Sequence, residues 1–318
     1  MRHLSGIALS IAVAGTAYGQ AYPTKPVRLI IEVPAGSVAE VAIRQAGQEM
    51  AGRLGQPLVQ ENRVGANGII AMDACAKAPP DGYTLCVVAP SIVWNVHLNS
   101  KIPYDTEKDF KPVARLFFLI EALLASPKVP AGTIKELQAL AVAKPDTLNF
   151  ATLGTASQPD VFRQWLGDRW GTQLVAVPYK GAAQILPALM AGDVDLTQLG
   201  LGNAAALFPS GKIRVYAVGG TQRQKALPNV PTMREAGLAD APGSVFWGIV
   251  SPSGVPDAIV ARVSGELRRQ FTDAKFVEIL ESRYLEPAFQ SPAEFGNYLR
   301  EQRDFAGTLV RKYKLQGQ

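Results

Sequence analysis

The residues able to do chemistry are few, and a histidine is the first to weigh. His3 sits at the extreme N-terminus, so His97, within Trp94–Ser100 (WNVHLNS), is the one imidazole of the remaining chain. A Ser-His-Asp triad would have to use it, and no G-x-S-x-G elbow is present to expose a serine nucleophile. A lone histidine reads better as a hydrogen-bonded structural residue. Histidine-held zinc or iron would need at least two neighbouring His or Cys ligands. Cys75 and Cys86 are the only cysteines. A helix leading into a strand could bring them together as a disulfide, or they could remain two buried thiols. Gly200-Leu-Gly202-Asn-Ala-Ala205 resembles a dinucleotide-binding turn after a strand. The acid expected about 20 residues further on is missing, its place taken by Val218-Gly219-Gly220-Thr221. Gly211-Lys212 lacks the earlier glycine of a phosphate-binding loop. No catalytic residue, metal site or cofactor is expected, and the chain does not read as an enzyme.

What remains is a set of small and hydroxyl residues in turns. Glu32–Arg44 reads EVPAGSVAEVAIR, with Pro34-Ala-Gly36-Ser37 between an apolar run and a helical pattern. The amides opening that helix could cradle an anion, yet Glu40, within its first turns, would repel one. Gly154-Thr155-Ala156-Ser157, with Pro159 soon after, looks like a second helix N-terminus. Its N–H groups and hydroxyls could grip a carboxylate, or Thr155 or Ser157 could simply cap the helix. Pro178-Tyr179-Lys180-Gly181 leads into a further helix, where Lys180 is either a charge partner or a solvated lysine.

The elements that must position these turns alternate strand and helix almost throughout. Arg28–Val33 (RLIIEV) is an apolar run suited to a strand covered on both faces. The helix after it carries Val38, Val41, Ala42, Ala46, Met50 and Leu54 at helical spacing and stops at Gly55. Strands at residues 57–60 and 83–88 follow, a βαβαβ order that implies a parallel sheet. A second series begins near Glu121–Ser126, with strands at 148–151, 174–177, 194–198 and 213–218 and a further strand at 246–250. Capping boxes at Thr133–Glu136 and Ser291–Glu294 open two helices, and the C-terminal third reads as helical. In open α/β sheets ligands sit beyond the carboxyl ends of the strands. That places the loops at 34–38, 89–95, 152–157, 178–182 and 199–203 around any site.

The N-terminus reads as a secretory signal: a basic start, an apolar stretch too short to span a membrane, and Ala17-Tyr18-Gly19 before Gln20. Nothing later reaches the roughly 18 apolar residues of a membrane span. The net charge of +5 is small, and Lys and Arg are scattered, so nucleic acid is not an expected partner. The 19% charged and 47% hydrophobic content belongs to an ordinary globular protein.

A run of landmarks then narrows the choice: YPTKPVRLI at Tyr22–Ile30, GQPLVQENRVGANG at Gly55–Gly68 and KAPPDGYTL at Lys77–Leu85. IPYDTEKDFKPVARL at Ile102–Leu116, VPYKGAAQILPALMAGDVDL at Val177–Leu196 and ALPNVPTMREAGL at Ala226–Leu238 continue it. Together these resemble the Bug-type solute receptors of the tripartite tricarboxylate transporter family. The resemblance implies an α/β, type II periplasmic binding fold: two doubly wound domains with a ligand cleft between them. It divides the chain into a signal peptide at 1–19, a first domain at 20–120 and 248–318, and a second at 121–247. It implies a small organic acid as ligand, no cofactor, membrane permease subunits as partners, a periplasmic location and a monomer. The ligand residues it implies are Val33, Pro34, Gly36 and Ser37 in the first domain, with Ser91 nearby. In the second they are Gly154, Thr155, Ala156 and Ser157, with Tyr179, Gly200 and Asn203. The site also departs from the family pattern, which reads approximately Phe-x-Pro-Gly-Gly-x-x-Asp in the first loop. Val33 stands for the aromatic, Ala35 for the proline, Ser37 for the second glycine and Glu40 for the aspartate. Ser37 makes a positive φ costlier than glycine does. Leu199 replaces an aspartate that many relatives use to hold a ligand ammonium, which favours an acid with an apolar body, and Trp94 could stack on it. A regulatory receptor presenting the same acid to a membrane sensor is the alternative function.

Overall fold

The computed structural model describes residues 22–242 and 245–316, and the expected leader at 1–19 lies outside them. Strand β1 (Val27–Ile31) is almost wholly buried and stops short of Glu32 and Val33. The chain then turns through Gly36 at φ +88°, a region that glycine occupies without a Cβ clash. Ser37 follows at φ −65°, and its Oγ accepts the Glu40 N–H at 3.3 Å, capping helix α1 (Val38–Leu54). The expected strain of serine at positive φ therefore does not arise. α1 buries Ala42, Ile43, Ala46 and Met50 on one face, and Gly55 at φ 78° ends it.

Strand β2 (Leu58–Asn62), helix α2 (Ile69–Ala76), strand β3 (Thr84–Val88) and helix α3 (Ser91–Leu98) complete the first series. β1 pairs in parallel with β2 and β3. Cys75 on α2 and Cys86 on β3 form a disulfide with Cα atoms 6.2 Å apart, which settles the alternative left open by spacing. Strand β4 (Phe110–Leu119) is followed by strand β5 (Glu121–Ala125) after a single residue, Ile120. The second series is helix α4 (Ile134–Ala143), strand β6 (Asn149–Thr152), helix α5 (Gln158–Trp170), strand β7 (Val175–Pro178), helix α6 (Ala182–Ala191), strand β8 (Leu196–Gly200) and strand β9 (Arg214–Val218). Strand β10 (Val245–Pro252) then precedes helices α7 (Asp257–Phe271) and α8 (Ala274–Ser282), strand β11 (Leu285–Gln290) and helix α9 (Pro292–Tyr313).

Two sheets result. One has six strands in the order β11-β4-β10-β3-β1-β2, the other five in the order β7-β6-β8-β5-β9. β4 and β5 lie in different sheets, so Ile120 is a point where the chain crosses between them. Its backbone is held on both sides: its N–H donates to the Tyr284 carbonyl at 3.1 Å, and its carbonyl accepts the Leu201 N–H at 2.7 Å.

The first βαβαβ series is parallel as its order implies, and several later strands join the sheets antiparallel. β10 runs antiparallel to β3 and β4, β11 antiparallel to β4, and β5 antiparallel to β8 and β9. β4 carries no clear strand pattern in the sequence, and β11 falls in the C-terminal third expected to be helical. Both contain a proline, Pro112 and Pro287, which weakens a strand pattern. Pro287 is tolerated because β11 is an edge strand, and Pro112 sits where the β10 register shifts.

α9 runs from the first sheet toward the second. Phe295 near its start is fully buried against Phe246 of β10. Leu309, together with Leu315 beyond its end, packs with Val161 of α5, where a Lys312–Asp168 ion pair also forms.

Candidate functional site

Between the two sheets lies a cleft of about 550 Å³, reached by the loops at the carboxyl ends of β1, β3, β6 and β8. A second cavity of about 550 Å³ opens behind Ile120. It contains none of the expected ligand residues, and its Lys225 and Glu281 already pair with each other at 2.7 Å. The cleft is the candidate site.

The first loop supplies Val33 and Glu32 to the cleft wall, while Pro34, Gly36 and Ser37 lie outside it. Glu40 explains why. Its Oε2 accepts the Gly36 N–H at 2.8 Å and its Oε1 accepts Arg44 Nε at 2.8 Å, all with the carboxyl buried. Glu40 thus consumes a loop amide that an anion would have needed, and Arg44 balances its charge.

The second loop repeats the device. Ser157 and Ala156 line the cleft, and Asp160 accepts the Ala156 N–H at 3.1 Å while pairing with Arg163 at 2.8 Å. Ala156 is held at φ 60°, a left-handed conformation that costs a non-glycine residue about 1 kcal/mol or more. Ser157 precedes α5 without a side-chain capping bond; its Oγ donates to the Gly154 carbonyl at 2.6 Å and accepts the Leu153 N–H at 3.2 Å. Thr155 lines a neighbouring pocket that shares Ala156, Ser157 and Asn67 with the cleft. Gly154 is outside the lining of both.

Ser91, Gly200 and Asn203 are in the cleft wall, and Tyr179 is not. Tyr179 packs instead against the core beneath α6. Asn203 Nδ2 donates to the Gly200 carbonyl at 3.1 Å, closing that turn. Leu199 is buried in the wall, and Trp94 lines it too. With Leu153 and Phe305, each more than a third exposed, they give the cleft an apolar mouth. His97 stays structural: its Nε2 lies 2.9 Å from the Arg303 carbonyl of α9. Among the described residues no group of three His, Cys, Asp or Glu could hold a metal.

Four wall residues escaped the sequence reading. Glu32 is buried, receives the Ser91 hydroxyl at 2.7 Å on Oε1, and has no partner on Oε2. Burial pushes its carboxyl up to about 7, although Ser91 and the Ala89 backbone favour the charged form. Glu121, buried at the start of β5, is pushed up to about 8 by burial alone. Gln198 on β8 and the Trp247 indole on β10 are buried with Oε1 and Nε1 unpartnered. The signal was an acid at each edge of an apolar run, RLIIEV and LIEALLA, which reads equally well as a strand end meeting solvent.

Residues 42–315 match the family model described as tripartite tricarboxylate transporter family receptor. The chain belongs to this family. It is 30% identical to a UPF0065 protein of Bordetella pertussis, over 100% of this chain and 98% of that one. Among solved structures it resembles Rpa4515 of R. palustris with adipate, at TM-score 0.79 and 26% identity over 93% of this chain and 100% of that one. MatC of Rhodopseudomonas palustris with bound malate follows at TM-score 0.72 and 29% identity, over 91% of this chain and 100% of that one. The family receptor thus has the α/β architecture of two sheets with a cleft between them, as a type II periplasmic binding fold.

Proposed function

We propose that this receptor captures a small organic carboxylate in the cleft between its sheets and delivers it to membrane permease subunits of a tripartite transporter. The observation that carries the reading is the cleft itself. Its volume of about 550 Å³, at strand ends of both sheets, suits a ligand of a few to about a dozen heavy atoms. The adipate and malate named for the two structural relatives support a carboxylate as ligand. The unpartnered Trp247 N–H is a ready donor for one carboxylate oxygen, and Asn203 and Ser157 stand in the same wall. No catalytic constellation is part of the proposal; the bound acid is released unchanged.

The proposed domains are 20–120 with 248–318, and 121–247, closing about Ile120 and the return to β10. Residues 245–247 begin β10, a strand of the first sheet, so the proposed boundary moves from 247 to before Val245. A periplasmic location after removal of residues 1–19, and action as a monomer, complete the proposal.

Thermal stabilisation across a panel of organic acids tests it. A ligand at 100 times its Kd should add about 2.7 kcal/mol of stability. Free acids should stabilise, and their methyl esters and amides should not; equal stabilisation by the esters would refute carboxylate recognition. Trp247→Phe should weaken the best acid about tenfold through the lost hydrogen bond.

A further inference from the structure

The charge of the cleft does not suit a plain dicarboxylate. Among the described residues its wall holds Glu32 and Glu121 but no Lys, Arg or His. One acid comes from the first sheet's loop and the other from a strand of the second. They are 6% and 8% exposed, and neither forms an ion pair among the described residues. Glu32 leaves Oε2 without a partner, and the Glu121 carboxyl has no hydrogen-bond partner among the described residues. Gln198, 3% exposed in the same wall, leaves its amide oxygen unpartnered as well. A smaller adjoining pocket shares Glu121 and Gln198, and it adds one acid, Glu286, and one base, Arg234. Arg234 is exposed there and has no part in setting the Glu121 carboxyl.

Two buried carboxyls without counter-ions stabilise nothing in the empty protein, since apolar side chains would fill the same space at lower cost. They acquire a purpose when a positive, donor-rich group arrives between the sheets. We infer that the ligand carries a nitrogen cation, an ammonium or amidinium, as well as its carboxylate, with the cation turned toward Glu32 and Glu121. Leu199 in the same wall is apolar, so the anionic anchor of the cleft comes from these two glutamates. Specificity then works through rejection too, because a second ligand carboxylate would meet two acids.

Proton traffic follows from the same geometry. In the empty cleft near neutrality, burial keeps the Glu121 carboxyl mostly protonated and the Glu32 carboxyl partly so. The nearby titratable groups are Tyr104 behind Glu32, and Glu286 and Arg234 beside Glu121. A cation favours the ionised form of the glutamate pair, so its binding draws a proton off the pair, whereas a dicarboxylate needs the pair kept protonated.

This inference rests on the carboxylate-receptor reading, and calorimetry with matched probes separates the two. The panel is 6-aminohexanoate, hexanoate, adipate and hexylamine, with the same four types at three to five carbons and the α-amino acids of those lengths. The expected result is a zwitterion binding at least tenfold tighter than the monoacid and the diacid of its length, with proton release at pH 7. Glu121→Gln and Glu32→Gln should each remove at least tenfold of that preference, and Glu121→Asp should keep part of it. Diacids binding tighter than their amino counterparts, or preference surviving both Gln variants, would overturn the inference and leave the carboxylate reading standing. A panel in which no cationic member binds overturns it as well. Bare amines binding as tightly as amino acids would overturn the carboxylate reading, and the zwitterionic ligand with it.

Discussion

Glu32 and Glu121 give single side chains control over how the empty protein responds to pH. In the unfolded chain both ionise near 4.5, whereas the folded protein keeps their protons to about 7 and about 8. From pH 4.5 up to those values the native state binds more protons than the unfolded one. These two residues therefore make stability fall as pH rises, and the loss levels off once pH has passed through about 8. Glu121→Gln should be more stable than the parent at pH 8 by on the order of 3 kcal/mol, and nearly equal to it at pH 4.5. Urea melts at the two pH values check this, and a gain of the same size at both would refute it. Glu40 behaves differently, since its carboxylate is already matched by Arg44 and the Gly36 amide. Glu40→Ala should cost about 2–3 kcal/mol by leaving a loop amide and a guanidinium unmatched; the urea midpoint reads it directly. Glu40 was legible as an oddity because its partners lie four residues away on either side. Glu32, Glu121 and Gln198 were not, because their burial depends on a second sheet that no local pattern announces.

At the scale of elements, patterns confined to neighbouring residues were the readable ones. The β1 turn into α1, the stop at Gly55 and the capping box at Thr133–Glu136 all stand where sequence spacing put them. Strand direction was readable only where the βαβαβ order sets it, since a run such as Phe246–Val250 carries no mark of whether its neighbour runs with or against it. β11 was hidden by Pro287 and by its exposed edge, where alternation is weak. The disulfide belongs to this scale, tying α2 to the strand that leads into Ser91. Replacing Cys75 and Cys86 together with alanine should lower stability by about 3 kcal/mol through the freed loop and the lost packing. Guanidinium unfolding with and without reductant measures it. The parent under reductant should match the variant to within the small cost of two buried thiols; a reductant-insensitive parent would contradict the bond.

For the whole molecule the proposed function asks that two sheets joined at Ile120 open and shut around a ligand. The connection is narrow, and α9 adds a contact far from it: its 22 residues span about 33 Å. Its start is anchored beside β10, and its end meets α5 through Leu309 and the Lys312–Asp168 pair. Lys312→Glu places like charges at that contact, which is half exposed and therefore worth little in stability. The expected effect is ligand dissociation about threefold faster with an unchanged melting temperature of the empty protein, measured by stopped-flow displacement. An unchanged rate would remove α9 from the proposed closing motion. A rod fixed to one lobe and resting on the other is mechanically a lever. A permease that grasped only its outward surface, without touching the cleft, could prise the lobes apart and set the cargo free.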